Sequence, residues 1–136
     1  MHEKVRKKYL HYKEEHYNNK IVDVDIVSGC FFLIRSDVLK QIDFFDENVF
    51  LYYEENILCS KLKQHNLRTV INTDVEVFHN HSVTIDKNIK RINKYKILKN
   101  SQMYFEKKYN GANIFEIFLL WLTNKITLLI YYIFLR

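Results

Sequence analysis

The run FDENVFLYYEENILC, from Phe45 to Cys59, holds the residues with the most chemical potential in this chain. Two adjacent carboxylates, Glu54 and Glu55, open a stretch in which Ile57, Leu58 and Leu62 fall on one helix face, and Asp46, Glu47, Tyr52 and Tyr53 lead into it. A helix N-terminus stabilises an ionised carboxylate and lowers its pKa, whereas aromatic burial and a neighbouring carboxylate raise it. That opposition can leave one of the pair a usable general base. Acidic residues in a first turn are also ordinary partners of the helix dipole, and the residues alone leave both readings open. Asp23-Val24-Asp25 would place two carboxylates on one side of a strand, and His79-Asn80-His81 offers a histidine pair. Neither comes with the further ligands of a closed metal site. Tyr95, Tyr104 and Tyr109, on a basic helix, have the chemistry to stack on single-stranded RNA, against which stands a plain solvated charged face beside a membrane. Cys30 and Cys59 lack CxxC spacing and read as free thiols of a reducing compartment.

The elements that must position these groups follow from periodicity. Met1 to Asn19 suits a peripheral basic helix or extension. Ile21 to Arg35 reads as two strand segments joined at Ser28-Gly29, the first alternating and the second continuously apolar and deeply buried. Ser36 is placed to cap a short helix to Ile42, with Asp37 in its first turn. Phe44 to Tyr53 reads as an ordered loop, and Glu54 to His65 as a helix that ends on a left-handed Asn66. Leu67 to Asn72 and Val75 to Phe78 suit short strands, and Lys87 to Tyr109 a long basic helix closed near Asn110-Gly111.

Ile114 to Leu135 is the most apolar stretch and is long enough to cross a bilayer, which takes about 20 residues. Asn124 and Lys125 lie at its midpoint, and a central Lys costs roughly 2.5 to 3.5 kcal/mol on insertion. Two short helices on the membrane, broken at Thr123 to Lys125, are therefore expected in preference to one span or to ordinary buried helices. Trp121 suits the membrane interface.

Composition narrows the function classes. The chain has 136 residues, enough for one domain or a piece of one, and 48% of them are hydrophobic, which excludes a disordered tail. It contains two glycines and no proline, in a composition rich in Lys, Asn, Ile, Tyr and Phe that AT-rich codons favour. The net charge of +5 divides into a block at residues 21–60 of net −6 and one at 61–113 of net +7. An acidic centre does not suit a nucleic-acid surface, which needs a continuous basic track, so no nucleic-acid partner is expected. No signal peptide is expected either.

Val27-Ser28-Gly29, Phe31 to Arg35, Phe45-Asp46-Glu47, Phe50, Tyr53, Glu54-Glu55, Leu58-Cys59, Lys61, Leu62, Val70 and His79 follow one another in a single order. In that order the segment from Val22 to His79 resembles the C-terminal part of the catalytic domain of family 2 glycosyltransferases of the bacterial rhamnosyltransferase-like kind. The family pattern is V-S-G with apolar residues and Arg, then G-G-F-D-E, Y-x-E-[DE]-x-D-L-x-x-R, a K-x-x-G-Y turn and a strand closing on His. Where the family has glycine, this chain has Asp43-Phe44 and Asn66, and Ile57 stands at an acidic position.

The resemblance implies an α/β fold: a partial GT-A-like fold, the C-terminal half of a nucleotide-sugar transferase domain, followed by apolar C-terminal helices. Its parts are a basic N-terminal extension at 1–20, the acceptor-side part at 21–86, the basic helix at 87–113 and a membrane-associated tail at 114–136. It implies inverting transfer of a sugar from a nucleotide-sugar donor to a cell-surface or lipid-linked glycan acceptor, at the cytoplasmic face of a bacterial cell membrane. By the same resemblance Glu55 is the base and Glu54 its neighbour; Asp46, Glu47, Tyr53 and Gly29 shape the acceptor side; and His79 contacts metal or diphosphate. The divalent ion, Mg²⁺ or Mn²⁺, would be held by an upstream DxD that this chain lacks, so an N-terminal half is the implied partner and little transfer is expected from the chain alone. The alternative is a non-catalytic, degenerate fragment or membrane-surface binding module.

Overall fold

A computed structural model describes residues 13–78 and 89–134. After a 3-10 turn at Glu14–Asn18 the chain forms β1 (Ile21–Asp23), α1 (Ser36–Gln41), α2 (Glu54–Gln64), β2 (Val70–Asn72), α3 (Arg91–Lys108) and α4 (Ile114–Phe134). The architecture of the described residues is mixed: helices with one small two-stranded sheet and an apolar C-terminal helix.

β1 and β2 pair antiparallel, with Val22 opposite Ile71. Alternation works here as period two requires: Val22 and Val24 are buried while Ile21 and Asp23 face out. Arg68 grips Asp23 through both carboxylate oxygens, at 2.7 and 2.8 Å. Next to the sheet, Ile42, Leu58 and Leu62 form the core that joins α1 to α2, and Phe32, Ile34, Val38, Leu39 and Leu67 pack against it.

Three expected elements differ. Cys30 to Arg35 is not a deeply buried strand, because no strand among the described residues pairs with it. The segment lays one face, Phe32 and Ile34, on the core, while Leu33 is 89% exposed. Val75 to Phe78 also has no partner strand among the described residues and is exposed coil. The C-terminal stretch is one helix, not two. Its polar midpoint does not break the helix: Thr123 and Thr127 donate to the carbonyls of Leu120 and Thr123, Lys125 extends over the Trp121 ring at 5.7 Å, and Asn124 is buried with its Nδ2 unpartnered among the described residues.

Helix ends follow local chemistry. Asn113 caps α4 by accepting from the Phe115 and Glu116 amides, and the Glu116 carboxylate returns to the Asn113 amide at 2.8 Å, a reciprocal capping box. Asn66 closes α2 in the left-handed conformation, as its position predicts, and Gly111 does so after α3. Ser36 is the first residue of α1 and not its cap; Arg35 precedes it and pairs with Asp37. The basic helix is shorter than its pattern, and of the expected N-terminal helix residues 1–12 lie outside the described residues.

Candidate functional site

α2 positions the acidic pair. Tyr52 and Tyr53 both take left-handed φ, 66° and 67°, which turns the loop sharply into the helix and sets Glu54 and Glu55 in its first turn. Consecutive helical residues point about 100° apart, so the two carboxylates part company.

Glu55 reaches the Ser28-Gly29 turn. The Gly29 amide donates to its Oε1 at 2.9 Å. A Cβ at position 29 would lie 2.4 Å from that oxygen, so only glycine admits this approach. Gly29 and Glu55, singled out at separate places in the sequence, meet here.

Glu54 turns the other way, into a cavity of about 140 Å³ lined by Phe45, Asp46, Val49, Ile57, Leu58 and Lys61. That is below the roughly 300 Å³ of a complete small-molecule cleft. Its Oε2 is buried without a hydrogen-bond partner among the described residues. Burial pushes the Glu54 carboxyl above the usual glutamate range; its own backbone amide opposes this and the Glu55 charge adds to it.

Asp46 is part of the same cavity wall but is fully engaged. Its Oδ2 accepts from the Tyr104 hydroxyl at 2.7 Å, the Tyr109 hydroxyl at 2.5 Å and Lys108 Nζ at 2.9 Å. Its Oδ1 accepts from the Asn48 amide and side chain. Burial alone would raise the Asp46 pKa, but the hydrogen bonds from Tyr109, Tyr104 and Asn48 outweigh it and hold the carboxyl far below the usual range. With its side chain only 4% exposed, Asp46 fastens α3 to the loop and has little surface to offer an acceptor. Tyr53 likewise packs on α3, its ring 5.4 Å from Phe105, and burial followed by the Glu106 charge raises its phenol pKa. Glu47 is exposed beside the clasp. His79 lies outside the described residues.

Residues that pattern reading left without a role complete the site. Lys61 donates to the carbonyls of Asp43, at 3.0 Å, and Phe44, at 2.6 Å. Asp43 and Phe44 have φ of 56° and 53°, so Lys61 pins a left-handed pair that L side chains adopt at a cost. Tyr104, Lys108 and Tyr109 bind across the sequence to Asp46; the signal for this was the facing of a net-negative block by a net-positive helix. Tyr104 and Tyr109, possible stacking platforms for RNA by composition, spend their hydroxyls on that clasp.

The described residues do not fit the implied divalent ion. No three His, Cys, Asp or Glu side chains among them converge to hold a metal. Asp23 of the Asp23-Val24-Asp25 run is held by Arg68, and Asp46 is saturated. A scan of family models and searches of curated proteins and of solved structures return no match to this chain.

Proposed function

We propose that this chain carries the acceptor side of an inverting sugar transferase of family 2 type. In this reading Glu55 takes the proton from an acceptor hydroxyl as that oxygen bonds to the anomeric carbon and the bond to the leaving nucleoside diphosphate breaks. The Gly29 amide holds Oε1, so Oε2 is the oxygen assigned to the proton. Burial raises the pKa of the neighbouring Glu54, and the Glu55 charge adds to that, so the two carboxylates differ in environment. No step is routed through a metal.

The observation that carries the reading is the Gly29–Glu55 contact. It brings the Ser-Gly turn and the acidic pair, two parts of the resemblance 26 residues apart, to one point and gives the glycine a steric reason. The left-handed φ at Asp43, Phe44 and Asn66, where the family has glycines, supports it: the backbone keeps the shape without the residue that makes that shape easy.

The test is saturation-transfer NMR of the full chain with a panel of oligosaccharides, and a coupled assay for nucleoside diphosphate release from a panel of nucleotide sugars. The expected result is saccharide signals that fall on Glu55→Gln, with no release of diphosphate by the chain alone. Saccharide signals that are absent, or unchanged in Glu55→Gln, overturn the acceptor site. Diphosphate release overturns the dependence on a separate donor half. A second reading, a non-catalytic membrane-surface module, is favoured by the exposure of α4 and by the full engagement of Asp46.

A further inference from the structure

α4 is apolar, 20 of its residues form a segment long enough to cross a membrane, and only 6% of its most apolar window is buried. Length alone does not say whether it crosses a bilayer or lies on one. Its packing against α3 does.

The two helices form a closed hairpin. The short connection 109–113 joins the end of α3 to the start of α4. At the other end Lys96 Nζ lies 5.9 Å from the Tyr132 ring centre, and α3 residues Arg91, Ile92 and Tyr95 share an apolar cavity of about 230 Å³ with α4 residues Thr127, Leu128 and Tyr131. α3 therefore runs beside α4 from one end to the other. It carries six basic side chains against one acidic. Were α4 to span, α3 would be drawn in with it, and each Lys or Arg opposes insertion at the bilayer centre by on the order of 100-fold.

The faces of α4 are sorted to match. Ile117, Leu120, Asn124, Leu128 and Tyr131, at helical spacing, are the more buried positions and face α3. Opposite them Phe115, Phe118, Leu122, Ile126, Leu129 and Ile133 form an unbroken apolar stripe, all exposed. Thr123 and Thr127 fall on one flank of that stripe and Lys125 on the other. Ile114, Leu119, Ile130 and Tyr132 are exposed as well, so the apolar surface of α4 is broad, and what favours a place at the interface over a span is the cationic helix held along its back.

We infer that the α3–α4 hairpin is monotopic: α4 lies in the plane of an anionic phospholipid surface with its stripe among the acyl chains, and α3 rides above it at the headgroups. This rests on the membrane-surface part of the reading above and not on its sugar chemistry. The occupant of the stripe is a lipid surface and not a second copy, because the cationic back of the hairpin is complementary to phosphate.

Trp121 is the chain's only tryptophan and lies on α4, so it reports depth without labelling. The centre of a span from Ile114 to Ile133 would put it about 4 Å from the bilayer midplane. The interfacial pose, with Trp121 on the Lys125 flank and not on the stripe, keeps it close to the headgroup boundary. The experiment adds the full chain to vesicles of phosphatidylcholine, with or without phosphatidylglycerol, carrying quenchers at the headgroup end or at the chain terminus. The inference expects stronger quenching from the shallow label, and binding to phosphatidylglycerol vesicles tighter by on the order of tenfold and weakened by salt. Ile126→Glu is expected to abolish vesicle binding and Thr123→Gln to retain it, with circular dichroism showing both folded. Stronger quenching from the deep label overturns the inference in favour of a span. Failure to bind, or binding unchanged in Ile126→Glu, overturns it in favour of another partner. Saccharide signals measured on Ile126→Glu keep the two readings apart, since the sugar site predicts them unchanged.

Discussion

Replacing Gly29 with alanine probes the contact on which the site depends. The new Cβ would lie 2.4 Å from Glu55 Oε1, 2.9 Å from its Cδ and 3.0 Å from its Cγ, closer than real Cβ contacts fall. The obstacle is the end of a flexible side chain, so the carboxylate swings away and the backbone holds. What is lost is one charge-assisted hydrogen bond at a partly exposed site, about 1 kcal/mol, and the smaller unfolded-state entropy of alanine offsets part of it, leaving a net cost of at most about 0.6 kcal/mol. Remove the carboxylate first, by Glu55→Ala, and the sign reverses. Gly29 does not occupy the left-handed region, which among the glycines holds only Gly111. Alanine then fits without strain and stabilises by about 0.4 to 1 kcal/mol, through a smaller unfolded-state entropy. The entropy gain is common to both backgrounds and cancels, so the coupling between the two positions is the hydrogen bond itself, about 1 kcal/mol. Urea unfolding of the four full-length proteins at neutral pH, followed by near-ultraviolet circular dichroism, measures it. If Gly29→Ala costs the same with and without Glu55, the glycine is there for the backbone and the contact does not position the base.

Other outcomes follow from the same geometry. The Glu54 pKa is raised in the folded state, so its contribution is fully present below the unfolded value of about 4.3 and is lost as pH rises through the folded value. Glu54→Gln is accordingly expected to stabilise at neutral pH and to lose that advantage in acid, read by thermal unfolding across pH. Asp46 has the opposite sign: its folded pKa is depressed, so its stabilisation is present above about pH 4 and fades as pH falls below it. Asp46→Ala should cost about 3 kcal/mol near neutrality, since it strands the hydroxyls and ammonium of the clasp. On the alkaline side burial, then the hydrogen bond to Asp46, pushes the Tyr109 phenol up to about 12, so stability is lost as pH rises from its usual value towards that one. Phe44→Gly is expected to gain about 1 kcal/mol by relieving the left-handed φ, and Lys61→Met to lose about 1 to 2 kcal/mol by freeing both carbonyls, each measured by urea unfolding.

What could be read in advance was local. Glu54 to Gln64 announces itself by period and first-turn acids, and Asn66 and Asn110-Gly111 by the residue types that tolerate left-handed φ. These features depend on neighbours within a turn or two. Cys30 to Arg35 misleads because an apolar run states that burial is wanted, not that a partner strand exists; without one, Leu33 stays in solvent. The expected break at Thr123 to Lys125 failed for a related reason: backbone acceptors one turn back satisfy both threonines, so the helix continues even though the buried Asn124 Nδ2 finds no partner among the described residues. The clasp on Asp46 joins residues 58 to 63 positions apart, and charge complementarity between blocks hints at it without naming the partners. Of the site itself, the Glu54-Glu55 pair and Gly29 were legible. The division of labour was not, because which carboxylate is buried depends on how the loop from Phe45 to Val49 folds over one side of the helix.

The central claim, that Glu55 is the base for an acceptor hydroxyl, is tested most directly in the source cells' own membranes, where the donor half that the proposal requires would have to act. The gene for this chain is deleted and restored as wild type, as Glu55→Gln, or as Glu76→Gln, an exposed carboxylate remote from the pair in sequence. Incorporation of labelled sugar from nucleotide sugars into glycan is then followed. The account predicts that deletion removes an incorporation product, that wild type and Glu76→Gln restore it, and that Glu55→Gln, present at the same level, does not. Full restoration by Glu55→Gln, or no change on deletion, would contradict it.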